Sequence, residues 1–364
     1  MLVRTVKCKL RTHEVTRAAL LETMITFNAA CNALSAHAFR EHVWRKYDLH
    51  HDCYHEIRAQ FPSLPAQLVV RAIAVVTDSY KLDRSVQHVF GPHAAVVYDA
   101  RCFRLKNLSS VLLTTTRGRH AFVMAHGGKQ REWLASGEIG EADLLYQDGT
   151  FYLAITIKRP DPPAADTSGG VLGVDLGIVA LAVDADGEAH SGTPVQAKRV
   201  KTQRIRSLLQ AKGTKSAKRH LQKIARTQSR YVRDTNHCIA KHLVLKAITA
   251  EKALALENLT GIRARATGFS RDMRRRMGNW AFADLADKIT YKAQDRGIPV
   301  YRVDPAYTSQ TCSVCGHCER ANRRSQAQFQ CQRCGFELNA DHNAAVNIGV
   351  RAAMSIGLLQ PTFS

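Results

Sequence analysis

A chain of 364 residues is long enough for two or three domains with cores of their own. Its 52 Lys and Arg stand against 31 Asp and Glu, a formal net charge of +21 that points to a polyanionic partner. Membrane-embedded and secreted classes are set aside, because Arg71 interrupts even the apolar run LVVRAIAVV and the start, MLVRTVKCKLRTHE, lacks the apolar core of a signal peptide.

Residues 2–10, LVRTVKCKL, place Val6, Cys8 and Leu10 on one face and Thr5, Lys7 and Lys9 on the other, and so predict a strand. From about 15 to 44, Leu20, Met24, Phe27, Cys31, Leu34 and Ala38 recur every three or four residues, the period of a long amphipathic helix. HHDCYHE, at 50–56, gathers His50, His51, Cys53 and His55. Their spacing matches no zinc template, so a polar helix face is expected and no ligand role is assigned. Pro65 suits the first turn of a further helix running to about Lys81.

From His88 to Lys158 the texture changes to short β-type runs: AAVVY, CFRL, SVLLTTT, HAFVM, DLLY and FYLAITI. Turns are expected at Arg117-Gly118, Gly127-Gly128 and Asp148-Gly149, the last a two-residue hairpin signal, and a small barrel is the expected result. RPDPPAADTSGG, at 159–170, reads as a linker.

The second half opens with VLGVDLGIVALAVDADGEAH. A buried strand over 171–175 ends on Asp175, Gly177 allows a tight passage, 180–183 form a second strand, and Asp186-Gly187 turns into a third. Between Gln196 and Arg233 there are thirteen Lys or Arg and no acid, while Leu221, Ala225, Gln228, Val232, Thr235 and Ile239 keep a helical period. A basic helical segment facing a phosphate backbone fits this better than a merely solvated face, since unscreened like charges repel. Aromatics are only 7%, so affinity is expected from phosphate contacts rather than base stacking. KALALENLTGI, at 252–262, reads as another alternating strand presenting Glu257. An arginine cluster follows at 263–276. Residues 279–297 read as a helix with Phe282, Leu285 and Ile289 inward, and IPVYRVDP as a last strand.

Cys312 and Cys315 form one C-x-x-C and Cys331 and Cys334 another, fifteen residues on, the spacing of a four-cysteine zinc site. Gly316 and Gly335, each one residue past a pair, supply the φ freedom that such knuckles need. Four protein ligands leave no open position, so the zinc is expected to be structural. A redox pair or ordinary buried thiols would need both pairs to fall at ribbon spacing by accident. Cys318 is a fifth cysteine nearby, and the two doublets are the simpler choice of ligands. Five others, Cys8, Cys31, Cys53, Cys102 and Cys238, are widely scattered, as in a reducing cytoplasm. After the second knuckle, NADHNAAVNIGV opens a helix at Asp341, where a carboxylate is ordinarily a cap.

Asp175, Glu257 and Asp341 thus fall at a strand end, a second strand end and a helix start, each beside a basic segment. Taken singly each is a surface or capping acid. Together, in a chain this basic, they suit a pair of Mg²⁺ or Mn²⁺ ions for phosphodiester hydrolysis.

The succession V-D-L-G, A-L-E-N-L, Y-T-S-Q-x-C-x-x-C-G, C-x-x-C-G and A-D-x-N-A-A-x-N-I resembles the TnpB family of transposon-encoded proteins, relatives of the type V CRISPR effectors, over roughly 171–350. The resemblance implies an α/β fold: an RNase H-like (RuvC) nuclease domain (171–304 and 339–364, with the basic segment at 196–250) and an inserted zinc ribbon (305–338). Before it would stand a β-barrel wedge domain (1–12 and 85–160) carrying a helical recognition insert (13–84).

It implies an RNA-guided DNA endonuclease, with Asp175, Glu257 and Asp341 as catalytic metal-binding acids and Cys312, Cys315, Cys331 and Cys334 as zinc ligands. Partners would be a guide RNA from the transposon end and double-stranded target DNA, in a prokaryotic, nucleoid-associated cytoplasmic setting. Expected nucleic-acid contacts are Lys198, Arg199, Lys201, Arg204, Lys218, Arg219, Lys223, Arg226, Arg230, Arg274, Arg275 and Arg276. Other readings are a guide-dependent repressor without cleavage, a transposase, and a zinc-ribbon nucleic-acid binder that leaves the three acids unexplained.

Overall fold

In the computed structural model, which describes residues 1–259, 282–325 and 327–358, the chain divides into Met1–Pro160 and Asp161–Ser364. The arginine cluster, including Arg274, Arg275 and Arg276, lies outside the described residues, as does the side chain of Phe282.

The first unit runs β1 (Leu2–Arg11), α1 (Glu14–Arg40), α2 (Lys46–Gln60), α3 (Ala66–Leu82), β2 (Val96–Tyr98), β3 (Phe103–Asn107), β4 (Ser110–Thr115), β5 (Gly118–Ala125), α4 (Gly128–Ser136), β6 (Glu138–Gln147) and β7 (Thr150–Arg159). Alternation in β1 buries Val6, Cys8 and Leu10, and the predicted stripe of α1, from Leu20 to Ala38, is buried throughout. That helix stops at Arg40, four residues early, because the chain turns through a positive φ at His42. On α2, Cys53 joins Leu49 and Ile57 in the core, whereas His51 and His55 are exposed and His50 stacks on Tyr54.

One expectation is met in part and one needs correcting. The seven strands, ordered β2-β6-β7-β1-β5-β4-β3, form a sheet whose ends do not pair, so the barrel is not closed among the described residues. The Tyr98 hydroxyl of β2 donates to the Thr114 carbonyl of β4, next to the far edge, at 3.0 Å, so the two ends of the sheet lie near each other without a ladder. The expected turn at Gly127-Gly128 is the N-cap of α4, which buries Trp133 and Leu134. The helices and the sheet share one apolar cluster, from Phe27 and Leu34 to Tyr98 and Leu153.

The second unit runs β8 (Val171–Asp175), β9 (Ala180–Asp184), β10 (Ala189–Ser191), α5 (Thr193–Lys212), α6 (Lys215–Thr249), β11 (Ala253–Glu257), α7 (Phe282–Gln294), β12 (Val300–Val303), β13 (Gln328–Gln330), β14 (Glu337–Asn339) and α8 (Ala340–Ser355). Five strands form a sheet in the order β10-β9-β8-β11-β12. An antiparallel trio, β10, β9 and β8, is extended by β11 and β12, which run parallel to β8.

Period two decides what each face carries. Leu172, Val174, Leu254 and Leu256 point toward α6 and α7 and join Leu243, Leu285 and Ile289 in one core. Each such leucine contributes roughly 2 kcal/mol by its burial. Ala255 and Val303 point the other way, onto Ile348 and Ala352 of α8. With a helix on each side β11, the expected strand ending on Glu257, is buried at every position.

Helix α8 lies close on β8 because both surfaces are small. A Cβ on Gly173 would sit 2.0 Å from the Ala345 carbonyl oxygen, and one on Gly349 3.2 Å from the Val171 oxygen. Helices α5 and α6 form a hairpin around Gly213, at φ 65°, with the Thr214 hydroxyl capping α6 through the Ala217 N–H. Toward that tip Leu221, Ile224, Gln228 and Val232 are the half-buried positions of α6; Ala225, expected on this stripe, is exposed.

Candidate active site and metal centre

Strand β8 places Asp175 on the same side as Val171 and Gly173, and β11 places Glu257 on the same side as Ala255. Both acids therefore stand on the face covered by α8. Val174 pairs with Leu256 in the parallel ladder, so Asp175 and Glu257 end adjacent strands at the same level. Asp341 stands in the first turn of α8, whose N-cap, Asn339, accepts from the N–H groups of Asp341 and His342 at 3.0 and 3.2 Å. Three acids distant in sequence are thus brought to one end of one sheet.

The electrostatics of Asp175 reflect this arrangement. Burial foremost, then the negative charges of Glu257 and Asp341, push the Asp175 carboxyl up to about 8, against the opposing pull of Arg323 and the Leu176 N–H. Burial also raises Glu257, which is 8% exposed, although Thr308, Arg351 and Arg323 favour its charged form. Asp341 is raised by burial and opposed by Arg323, whose Nη2 lies 3.6 Å from Asp341 Oδ1.

An acid raised on folding holds more protons folded than unfolded, so stability falls as pH rises between the two values. Without divalent ions, the unfolding free energy read from urea titrations should therefore decline between about pH 4 and about pH 8, by up to about 1.4 kcal/mol per pH unit from Asp175. Asp175→Asn should remove most of that decline; parallel curves for the two proteins would rule out this origin.

Several residues that hold the site gave no signal of their own in the sequence. The Thr308 hydroxyl donates to Glu257 Oε1 at 2.5 Å and is itself buried. Asn347 Nδ2 donates to the carbonyls of Thr308 and Thr311 at 2.8 and 2.7 Å, and Asn343 Nδ2 to that of Thr311 at 2.8 Å. Asn343 Oδ1 in return accepts from the Ser313 N–H at 3.1 Å. Arg351 donates to the carbonyls of Asp304 and Ala306. One helix thus carries an acid in its first turn and, over the next three turns, ties down the segment that positions Glu257. The repeated asparagines of the A-D-x-N-A-A-x-N motif were the available clue.

That segment leads into the cysteine knuckles. Cys312, Cys315, Cys331 and Cys334 bring their sulfurs within 4.8 Å of one another, with Cys312–Cys334 at 3.7 Å and Cys315–Cys331 at 3.6 Å. A tetrahedral ion with metal–sulfur bonds of about 2.3 Å requires separations of about 3.8 Å, so the four thiols fit one. The two knuckles repeat each other: Gly316 and Gly335 both have φ 72°, and their N–H groups bond the carbonyls of Cys312 and Cys331, each at 3.0 Å. Cys318 is exposed, bridges backbone to Thr311 and is not one of the four.

On the α5–α6 hairpin Lys201, Arg204, Lys218, Arg219, Lys223, Arg226 and Arg230 are exposed, while Lys198 and Arg199 are half-buried. Lys198 Nζ lies 5.9 Å from the centre of the Tyr231 ring. No described helix is long and apolar enough to cross a membrane.

A family model described as Cas12f1-like, TNB domain, matches residues 282–348. A CRISPR-associated endodeoxyribonuclease Cas12f1 of Sulfoacidibacillus thermotolerans is 36% identical over 243 residues, which is 60% of this chain and 55% of that protein. The InsQ protein of Escherichia coli, provisionally named an RNA-guided DNA endonuclease, is 31% identical over 234 residues, 58% of this chain and 56% of InsQ. A TnpB-like protein of Methanocaldococcus jannaschii is 32% identical over 128 residues, 35% of this chain and 45% of that one. The chain spans about half the length of these curated relatives. In fold it is similar to the protein in a cryo-EM structure of a Cas12f1–sgRNA–target DNA complex, with a TM-score of 0.65 at 14% identity over 92% of this chain and 82% of that one. Over part of its length the chain is thus similar to TnpB-like and Cas12f proteins.

Proposed function

We propose that the chain is an RNA-guided DNA endonuclease that cleaves target DNA by metal-dependent phosphodiester hydrolysis in an RNase H-like (RuvC-type) domain. The observation that carries this is the meeting of Asp175, Glu257 and Asp341 at one sheet end, with every carboxyl raised by burial. Acids gathered at one end of a sheet favour hard divalent cations, and all three are oxygen donors of the kind Mg²⁺ or Mn²⁺ takes. Bound there, such ions supply an activated water and steady the leaving oxygen.

The chain's own part is placement. Thr308 fixes one oxygen of Glu257, the Asn339 cap fixes the first turn that bears Asp341, and Arg323 offsets part of the negative charge. The cysteine cluster, read as a structural zinc site, holds the segment that delivers Thr308.

Sequence choice would come from pairing between a transposon-derived guide RNA and the target strand, leaving the protein to grip phosphates and shape. The exposed bases of the α5–α6 hairpin suit that grip. Replacing Lys218, Arg219, Lys223, Arg226 and Arg230 by Gln should flatten the salt dependence of guide-RNA binding by about 0.7–0.9 in slope for each phosphate no longer neutralised. An unaltered slope would place the RNA elsewhere. The reading as a whole is tested by incubating the protein and guide RNA with a matched duplex: cleavage is expected with Mg²⁺ and none without a divalent ion. Intact duplex under both conditions would favour a binder that does not cut.

A further inference from the structure

Glu188, His190 and His242 belong neither to the acid trio nor to the cysteine cluster, and the nuclease reading uses none of them. Glu188 ends the turn into β10, His190 follows two residues later on the same face of the strand, and His242 sits on α6. One nitrogen from each ring and one Glu188 oxygen lie within 4.8 Å of one another. Glu188 Oε1 is 2.8 Å from His242 Nε2, and the two imidazoles stand edge to face with centroids 5.2 Å apart. His190 Nε2 is buried without a hydrogen-bond partner, although buried polar atoms are ordinarily satisfied.

We propose that Glu188, His190 and His242 form a second transition-metal site, taking a zinc-like divalent ion through two imidazole nitrogens and one carboxylate oxygen. Two histidines and a glutamate are an established donor set for zinc, with a fourth position open to water. Metal–ligand bonds of about 2.0–2.2 Å set donors about 3.4 Å apart, so the His242–Glu188 contact need open by only roughly half an ångström.

The surroundings favour a cation. Asp184, fully buried, accepts from the N–H groups of Asp186 and Glu188 at 3.1 and 3.0 Å, which fixes the turn presenting Glu188. Lys246 Nζ lies 2.5 Å from Asp184, 3.2 Å from Asp186 and 3.3 Å from Glu188, and Lys252 Nζ 3.4 Å from Asp186. Three carboxylates thus face two ammonium groups, which leaves one negative charge over when the imidazoles are neutral. Lys246 keeps two carboxylates if Glu188 turns to an ion. Burial foremost, then His242, holds His190 below its ordinary range, in the neutral form that ligates. An ion here would fasten the edge strand β10 to α6, whose far end carries the basic tip.

The whole 364-residue chain, with any metal of its cysteine cluster retained, is dialysed against micromolar Zn²⁺ and its zinc counted by atomic emission. Wild type is expected to hold one equivalent more than His242→Gln, a substitution at a half-exposed site that keeps a donor for Glu188. Glu188→Gln should weaken this second equivalent by at least about tenfold. Cys331→Ser should remove the other equivalent and leave this one. Equal zinc in wild type and His242→Gln would overturn the proposal.

Discussion

Asp175→Ala is expected to lower cleavage of a guide-matched duplex by about a thousandfold or more, the scale of removing a group that acts with others as a unit. Binding of guide RNA should persist, because the basic α5–α6 hairpin is built on other residues. Asp175 feels the charges of both Glu257 and Asp341, so its loss takes from the acid trio the member that both others act on. The change should not unfold the protein in the absence of divalent ions, since it takes away a carboxyl that folding strains toward protonation. Two assays suffice: single-turnover cleavage in Mg²⁺, and filter binding of the guide. Equal cleavage by variant and wild type would remove Asp175 from the active site. Loss of both activities would point to misfolding rather than chemistry.

Cys331→Ser is the second large effect. Metal binding contributes roughly 10–16 kcal/mol to the folding of small zinc modules, and the apolar cluster of the knuckle region is limited to Cys312, Phe329, Cys331 and Ala340 with Cys315 and Phe336 against them. Without the ion these few groups cannot order residues 308–338. The consequence should reach the acids, because Asn343 and Asn347 then lose the carbonyls of Thr308 and Thr311, and Glu257 its Thr308 donor. Zinc content, thermal stability and cleavage should therefore fall together in this variant. An unchanged metal count would count against the four-cysteine assignment; full cleavage after zinc loss would uncouple the knuckles from the acids.

How much of this was legible in the sequence follows from how local each signal is. Strands β8 and β11 announce themselves by short apolar runs, each ending on an acid, and the cysteine doublets by spacing alone. Asp341 was legible as standing at a helix start because an alanine-rich run follows it, although the cap is Asn339 and not the Asp341 carboxylate. What could not be read are partnerships across long separations: Arg323 against Asp341 through an intervening knuckle, or Thr308 under Glu257, fifty-one residues away. Gly173 and Gly349 look like ordinary glycines until β8 and α8 are seen pressed together. The barrel expectation is met only as a nearly closed sheet for a related reason, since alternation defines strands but not whether the first and last of them meet. Helix α4 was missed because a Gly-Gly pair is as good a helix cap as it is a turn.

The asparagine pair on α8 sets terms for anyone who would exchange modules between such chains. A foreign four-cysteine knuckle grafted at 308–338 will be tolerated by the acid-bearing sheet only if it returns two backbone oxygens where Thr308 and Thr311 now offer them, together with a guanidinium in place of Arg323. Matching the cysteine spacing alone would transplant a stable finger onto a sheet whose Glu257 has lost its donor.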